Sequence, residues 1–467
     1  MPHNDLLMNR QWGITLSVDE LCDPEAVLAR QRARESSARS YARHLPVVPV
    51  RAEGMTVHGA DGRVYLDCLS GAGSLALGHN HPVVVEAVRG VLDARAPMHV
   101  LDLATPIKDE FTDTLLGLLP AELAGDARVH FCGPSGSDAV EAALKLARTA
   151  TGRSGLVAFT GAYHGMTAAA LAATGNVAVR TPARVPDSGV TRLPFPQDYR
   201  CPYGVGGIAG ERIAVEHARR LFEDPGSGMT PPAAVIVEPV QGEGGVIPAP
   251  DGWLRSLSAL AAEHGMPLIA DEVQTGLGRT GELWGVDHAE VVPDIMVLSK
   301  AIGGGLPLAV IVYRAKYDVW EEGAHTGTFR GHQLAMAAGT ATMRFVAEHS
   351  LAERARKLGD RLRAEFAEAM AELPAIGDVR GRGLMLGLDL VDPEAAADAL
   401  GARPAAPGLA RRVRAEALSR GLIVELGGRY GAVLRLLPPL TMTELEAEQV
   451  RDLLLDSIAA ATAAWRP

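Results

Sequence analysis

Residues 267–305, PLIADEVQTGLGRTGELWGVDHAEVVPDIMVLSKAIGGG, contain two short apolar runs, each of which ends in polar or charged residues. The runs Pro267–Asp271 and Asp294–Ser299 have the length and composition of buried strands. Further strands are predicted at Arg128–Cys132, Leu156–Phe159, Ala234–Glu238 and Leu308–Val312. Longer segments with helical spacing separate these runs. The alternation predicts an α/β protein with a mainly parallel sheet, which binds ligands beyond the carboxyl ends of its strands.

The composition favours a folded protein that acts on small molecules. The chain has 467 residues, of which 47% are hydrophobic and 22% charged, a length and balance that suit a large α/β domain with a smaller partner. Its net charge of −11 disfavours nucleic acids and anionic membranes as partners, because both attract clustered Lys and Arg. No apolar stretch reaches the roughly 18 residues of a membrane span. The N-terminus does not resemble a secretory signal, so we expect a cytoplasmic protein.

The four cysteines are widely spaced and form no CxxC pair: Cys22, Cys68, Cys132 and Cys201. Neither a metal site nor a disulfide framework is therefore predicted. Residues 25–45 are interpreted as one amphipathic, Arg-rich helix, and Asp61-Gly62 as the turn of a β-hairpin. After residue 335 a long helix, strands near 379–390 and 433–436 and a final helix predict a second domain. The segment 392–407 between these strands is expected to be a surface excursion.

A turn that suits a phosphate group lies at Cys132–Asp138, CGPSGSD, between a predicted strand and a helical run. A turn of this kind at a helix N-terminus presents free backbone N–H groups and the positive end of the helix dipole. Ser135 and Ser137 could add hydroxyl donors. The alternative is an ordinary helix start that Ser137 or Asp138 caps.

Other polar groups follow strands of the same predicted sheet. Tyr163 and His164 could lie against a flat ligand. Asp271 would need a cationic partner, either a protonated pyridine nitrogen or Arg279. Burial of Lys300 would lower its pKa toward the neutral amine that attacks carbonyls, unless it is a surface lysine. Together these sites would serve the phosphate, ring face, ring nitrogen and aldehyde of a single cofactor.

Seven motifs resemble those of one known family, in that family's order. They are GPSGSDAVEAALKLAR, AYHG, EPVQGEGG, DEVQTGLGRTG, LSKAIGGG, HTGTFRG and RLLPPL. The family is the class III (ornithine/GABA-type) aminotransferases of pyridoxal-5′-phosphate (PLP) fold type I. The resemblance implies a large domain with a doubly wound, mainly parallel sheet and a smaller α+β domain built from the N- and C-terminal segments. The implied limits are 1–75 for the N-terminal arm and part of the small domain, 76–340 for the large PLP-binding domain and 341–467 for the C-terminal small domain.

Four other segments resemble a narrower branch, the diaminobutyrate–2-oxoglutarate aminotransferases. They are ESSARSYARHLPVVPVRAEG, LDLATPIKDEF, FPQDYRCPYG and GTFRGHQLAMAAG. The resemblance implies interconversion of L-2,4-diaminobutyrate and 2-oxoglutarate with L-aspartate 4-semialdehyde and L-glutamate, and a supply of diaminobutyrate to a siderophore or peptide-antibiotic pathway. An ω-aminotransferase acting on another diamine, on ornithine or on a β- or γ-amino acid stays open. A PLP-binding regulator without turnover is the alternative from another class.

The resemblance also implies roles for individual residues. Lys300 would form the Schiff base with PLP and move the proton, and Asp271 would pair with the ring nitrogen. Thr328 would reach the phosphate of a neighbouring subunit, which implies at least a homodimer. The other implied cofactor contacts are Ser135, Gly136, Ser137, Tyr163, His164, Val273 and Gln274.

The resemblance implies that Glu243 and Arg435 form a substrate switch. For an amine donor the glutamate would cover the arginine, and for glutamate the arginine would bind the α-carboxylate. The alternative is a permanent ion pair between two domains. Glu238 is a further substrate-binding candidate.

The sequence departs from the family pattern at two positions. Met166 stands where ornithine-type relatives carry an arginine that anchors the distal carboxylate, and Arg330 is the candidate replacement. His332 stands where asparagine is usual, and we expect it to cap a helix.

Overall fold

A seven-stranded sheet forms the centre of the protein. The structure, a computed structural model, describes residues 23–185 and 189–465. Within the sheet, Val310–Arg314 runs antiparallel to both of its neighbours, and the other strands run parallel to one another. In spatial order the strands are Ala127–Phe131, Val310–Arg314, Ile295–Leu298, Leu268–Asp271, Pro232–Val237, Gly155–Phe159 and Val190–Leu193. The prediction of a mainly parallel sheet is confirmed.

Both faces of this sheet are buried. Along Pro232–Val237, Val235 and Val237 join one hydrophobic core, whereas Ala234 and Ile236 join the other. Side chains alternate between the faces of a strand, so a strand buried on both faces is apolar throughout. This is why the apolar runs in the sequence located the strands.

Helices cover the sheet and connect its strands. They are Pro82–Asp93, Pro106–Gly117, Ala121–Ala124, Gly136–Thr151, Ala168–Ala173, Val177–Ala183, Gly207–Glu223, Asp251–Glu263 and Gln333–Glu348, with the 3-10 segments Gly285–Ala289, Lys300–Gly303 and Ala315–Tyr317. The helix Gly136–Thr151 buries the face that carries Ala139, Ala143 and Leu146 in one of the two cores. These residues recur at the helical spacing that predicted the helix.

The two ends of the chain add smaller sheets. An antiparallel meander of Pro49–Glu53, Thr56–Gly59 and Val64–Asp67 contains the predicted Asp61-Gly62 turn, and Leu422–Ile423 extends it in parallel beside Val64–Asp67. A second, antiparallel sheet has the order Ile376–Arg382, Met385–Leu390, Val433–Leu436 and Glu425–Gly427. The remaining elements are the ribbon Val240–Gln241 with Ile247–Pro248 and the helices Ser70–Gly73, Leu351–Ala369, Pro407–Ser419 and Glu444–Ala463.

The prediction of one helix over residues 25–45 is wrong. The chain forms two helices, Pro24–Arg34 and Tyr41–His44, with an irregular segment between them. Ser36 explains the break, because its hydroxyl accepts a hydrogen bond from the Ala38 amide and so competes with helical pairing. The expected surface excursion at 392–407 contains neither helix nor strand before Pro407. Cys22 lies outside the described residues.

Within residues 23–185 and 189–465, no helix combines the length and apolar character needed to cross a bilayer.

Candidate active site

Five parallel strands of the central sheet end around one cavity of about 200 Å³. Parallel strands bring their carboxyl ends to the same edge, so residues far apart in sequence meet there. The cavity is lined by Gly136, Ser137, Tyr163, His164, Gly165, Glu238, Val240, Glu243, Asp271, Val273, Gln274, Thr275 and Lys300. Most of the residues predicted for the site are therefore in one place.

Lys300 follows the fully buried strand Ile295–Leu298 and lines the cavity. Its backbone has a φ of +49°, which is uncommon for a residue with a side chain. Burial lowers the pKa of Lys300 to about 8, although the charges of Glu243 and Asp271 act in the opposite direction. A substantial fraction of this amine is therefore neutral near physiological pH and able to attack a carbonyl.

Asp271 pairs with a histidine that the sequence did not connect to it. The His164 Nδ1 atom lies 2.7 Å from the Asp271 Oδ2 atom, and both side chains are buried. Burial disfavours the charged imidazole, but the hydrogen bond and charge of Asp271 outweigh it, so the pKa of His164 is raised. The Arg279 guanidinium instead donates to the backbone carbonyls of Leu384 and Pro438, so Arg279 is not the partner of Asp271.

The turn before the helix Gly136–Thr151 forms a seat for an anion. Ser135 caps the helix by accepting a hydrogen bond from the Asp138 amide at 3.3 Å, so the alternative caps considered from sequence, Ser137 and Asp138, are wrong. The Ser137 hydroxyl accepts from the Met166 amide, and Asp138 accepts from the Gly133 amide. Among the described residues, the amides of Gly136 and Ser137 have no hydrogen-bond acceptor. Two free N–H groups at a helix N-terminus fit a phosphate.

Val273 and Gln274 complete the wall opposite the anion seat. A Cβ atom on Gly136 would lie only 3.0 Å from a methyl group of Val273, so a larger residue here would have to displace that side chain slightly. The Gln274 amide nitrogen donates to the Ala72 carbonyl at 3.2 Å, while its Oε1 atom has no partner in the described part of the chain. A buried oxygen without a protein partner beside this cavity fits a bound polar group.

Glu243 and Arg435 form a tight ion pair at the edge of the cavity. Arg435 Nη1 lies 2.6 Å from Glu243 Oε1, and only 2% of the arginine side chain is exposed. The phenol of Tyr41 lies close enough for both charges to act on its pKa. Burial is the largest cause of the raised pKa, the charge of Glu243 raises it further, and the charge of Arg435 lowers it. Sequence reasoning missed Tyr41, because a single tyrosine in a polar N-terminal segment carries no distinctive signal.

Glu238 is buried beneath this pair. Its carboxylate accepts hydrogen bonds from the amides of Tyr163 at 2.9 Å and Gly242 at 3.1 Å. Burial raises the pKa of Glu238 to about 7. One hydrogen bond fixes the loop that carries Tyr163 and the other holds Gly242, which precedes Glu243, so Glu238 shapes the cavity as well as lining it.

Several predicted residues lie away from the cavity of this chain. Thr328 is exposed on a loop, and Arg330 pairs with Asp102 at 2.7 Å. Met166 is also largely exposed. His332 occupies the N-cap position of Gln333–Glu348, but its side chain makes no capping hydrogen bond, so the expected cap is absent.

A protein-family comparison identifies the chain. Residues 37–458 match the family model described as aminotransferase class-III. The chain belongs to the class-III aminotransferases.

Relatives of this aminotransferase match it over nearly their whole length. The chain is 52% identical over 423 residues to a diaminobutyrate–2-oxoglutarate aminotransferase of Rhizobium meliloti (strain 1021), covering 91% of this chain and 90% of the relative. It is 45% identical over 429 residues to the protein of the same name from Haemophilus influenzae, covering 92% and 94%. A PLP-bound amine transaminase from an uncultivated Pseudomonas species has a similar fold, with a TM-score of 0.81, 30% identity and coverage of 92% of this chain and 98% of that one.

This class-III aminotransferase has PLP fold type I and uses PLP as its cofactor. The cavity fits that cofactor, because free amides, a buried carboxylate and a depressed-pKa lysine surround one space.

Proposed function

We propose that this aminotransferase transfers the distal amino group of L-2,4-diaminobutyrate to 2-oxoglutarate, giving L-aspartate 4-semialdehyde and L-glutamate. The observation that carries the proposal is the Glu243–Arg435 pair beside Lys300. One site must accept a donor that reacts at a plain amine and a second substrate that reacts next to a carboxylate. The paired state of this carboxylate and guanidinium suits the amine donor, and the separated state leaves the guanidinium free to bind the carboxylate of the second substrate.

Residues of this chain hold the cofactor in the proposal. The amides of Gly136 and Ser137, with the Ser135 cap behind them, receive the phosphate. Asp271, oriented by His164, holds charge opposite the ring nitrogen. Tyr163 and Val273 would contact the two ring faces, and Gln274 would lie near the phenolic oxygen. When bound, PLP accepts the amino group at its aldehyde carbon and withdraws electrons into its ring.

Lys300 performs the proton transfers. As a neutral amine it would take the proton from the reacting carbon of the donor and, once protonated, would return that proton later in the transfer. Burial supports this role, because a lysine with the ordinary pKa would stay protonated and could not accept a proton at neutral pH.

The ion pair selects between the substrates. Arg435 is buried, so removing Glu243 without a replacement would leave a costly isolated charge. Diaminobutyrate offers no carboxylate at its reacting end, and Glu243 stays in place. Glutamate offers its α-carboxylate, which replaces Glu243 on the guanidinium.

The proposal includes a homodimer and a cytoplasmic location. Thr328 and Phe329 lie exposed on a loop outside the cavity of their own chain, which supports a role at the site of a neighbouring subunit. The thiols of Cys68, Cys132 and Cys201 are free, as expected in a reducing compartment.

The test is a product assay of the purified, PLP-loaded protein. L-2,4-diaminobutyrate, ornithine, lysine, GABA and β-alanine are each supplied with 2-oxoglutarate, and glutamate is quantified. We expect glutamate chiefly from diaminobutyrate, and none with the Lys300→Ala variant. A preference for another amine would refute diaminobutyrate as the substrate but would still agree with an aminotransferase reaction. Full activity of Lys300→Ala would refute the role of Lys300.

A further inference from the structure

A second cavity of about 720 Å³ adjoins the active site. Tyr163 and Glu243 line both cavities, so the two spaces meet at these side chains. The walls of the larger cavity are the loop 160–163, residues 175–179, Gly244 and the turn 426–431. A substrate whose reacting end faces Lys300 can therefore extend its other end into this space.

Arg429 is the charged residue that the turn contributes to this cavity. The turn connects Glu425–Gly427 to the strand Val433–Leu436, which carries Arg435. Arg429 Nη2 donates to the carbonyl oxygen of Thr160 at 3.2 Å and lies 3.3 Å from its hydroxyl oxygen. A Cβ atom on Gly161 would lie 3.1 Å from Arg429 Nε, so the absent side chain leaves room for the guanidinium. The guanidinium is thus held in place by the loop that leads to Tyr163.

Arg429 forms no ion pair with any carboxylate in the described parts of the chain, whereas three other arginines that were considered or lie nearby do. Arg435 pairs with Glu243, Arg330 with Asp102 and Arg380 with Asp389. Arg429 stays exposed to solvent on the cavity wall. Partial burial lowers its pKa, the phenol of Tyr430 acts in the opposite direction, and the charge of Arg380 lowers it further. A cation in such surroundings is stabilised by an anionic ligand.

The proposed substrates carry that anion at matching positions. In diaminobutyrate, the carboxylate is remote from the carbon that bears the reacting amine. In glutamate, the side-chain carboxylate is remote from the reacting α-carbon. The same number of bonds separates the reacting carbon from the remote carboxylate in both molecules, and ornithine has one more. A single fixed cation therefore serves both halves of the reaction and disfavours ornithine.

We propose that Arg429, held by Thr160, forms the binding site for the carboxylate remote from the reacting carbon of both substrates. This inference deepens the proposed function and depends on it. It assigns to Arg429 the role of carboxylate anchor for which the sequence had suggested Arg330. Arg330 instead forms an ion pair with Asp102.

The experiment compares substrates that differ only by the remote carboxylate. Single-turnover rates of PLP-loaded Arg429→Met are measured with diaminobutyrate and with 1,3-diaminopropane, which is diaminobutyrate without its carboxyl group. L-glutamate and L-2-aminobutyrate form the second matched pair. Equilibrium binding of glutarate is followed by calorimetry as a readout that requires no turnover. Arg420→Met is the control, because Arg420 pairs with Glu416 on a helix outside both cavities.

We expect Arg429→Met to lower kcat/KM for diaminobutyrate and glutamate by about 10- to 10²-fold, as for removal of one charge-assisted hydrogen bond. The rates with the two analogues should not change, and glutarate binding should weaken. If the ratio of the rates for the two substrates of each pair is the same in Arg429→Met as in the wild-type protein, Arg429 does not bind the remote carboxylate. Wild-type protein that does not react with diaminobutyrate would instead refute the proposed reaction, and the glutamate pair would then decide the role of Arg429.

Discussion

At the scale of single residues, the site depends on charges that the fold keeps from water. Lys300, Asp271 and Arg435 are each buried next to a partner of opposite charge or to the cavity itself. In such surroundings a group's protonation state is set by its neighbours more than by the solvent. The pH dependence of the enzyme is therefore a direct test of the geometry.

We expect the apoenzyme to capture PLP at a rate that rises with pH through about 8, the pKa to which burial lowers Lys300. Only the neutral amine attacks the aldehyde, so an exposed lysine would show this rise near its ordinary pKa of 10.5. Stopped-flow absorbance of lysine-bound PLP measures the rate, with a lysine-containing peptide as the control. A profile that matches the peptide would contradict the burial of this amine.

The same pKa shift has a consequence for stability. Between about pH 8 and 10.5 the unfolded chain keeps the Lys300 proton that the folded apoenzyme has lost. Stability therefore rises with pH across this interval, since the unfolded state binds more protons. Below the interval the lysine is charged in both states, and its burial imposes a constant penalty. A Lys300→Met apoprotein should lack this pH dependence in urea titrations.

At the scale of elements, one helix supports the turn that carries Lys300. Gln333–Glu348 packs directly on the turn after Lys300, because Gly339 and Gly304 allow their backbones to approach. A Cβ atom on Gly339 would overlap the carbonyl oxygen of Ile302, and one on Gly304 would lie 2.6 Å from the carbonyl oxygen of Ala338. The position of Lys300 is thus supported by a contact between two elements.

Gly339→Ala should destabilise the protein by roughly 1–3 kcal/mol, the usual cost of forcing an extra methyl group into a packed contact. It should also weaken PLP binding, because the displaced turn carries Lys300. Gly90→Ala is the matched control: Gly90 lies in the helix Pro82–Asp93 with nothing near its Cβ position, and the change should add ~0.5–1 kcal/mol. Urea unfolding and PLP titration measure both effects. Equal behaviour of the two variants would argue against this contact.

The elements also show what sequence reasoning can and cannot supply. Apolar runs located the strands that are buried on both faces, but Val190–Leu193 was missed because polar Thr191 and Arg192 interrupt its apolar character. The strand predicted at Leu308–Val312 begins at Val310 instead and ends at Arg314. The His164–Asp271 pair and the cavity around Arg429 depend on contacts between distant segments. Such contacts follow from tertiary packing, which local patterns do not encode.

At the scale of the whole molecule, the two ends of the chain meet. Leu422–Ile423 pairs with Val64–Asp67, which supports the proposal that residues 1–75 and 341–467 form one small domain beside a large domain of 76–340. Arg63 adds hydrogen bonds to the carbonyls of Leu418 and Ser419. The hairpin that carries Arg429 and Arg435 belongs to the C-terminal segment, so the placement of both arginines depends on this packing.

A mixed dimer tests the proposed sharing of Thr328. Thr328→Ala should raise the PLP dissociation constant, because the phosphate loses a hydrogen-bond donor, and Lys300→Ala should be inactive. When the two variants are co-expressed with different tags, the mixed dimer contains one site with both wild-type residues, provided that Thr328 serves the neighbouring subunit. We expect that site to have wild-type PLP affinity and activity. Retention of the Thr328→Ala affinity in purified mixed dimers would place Thr328 at the site of its own chain.

The pairing of Val64–Asp67 with Leu422–Ile423 also constrains how the protein is made. A ribosome releases the meander early, but the strand that completes it emerges only after the whole central sheet has been synthesised. Until then the edge of the meander stays open and can pair with other nascent chains. The small sheet therefore cannot be completed before the large one has been made, and any truncation before Leu422 would leave it incomplete.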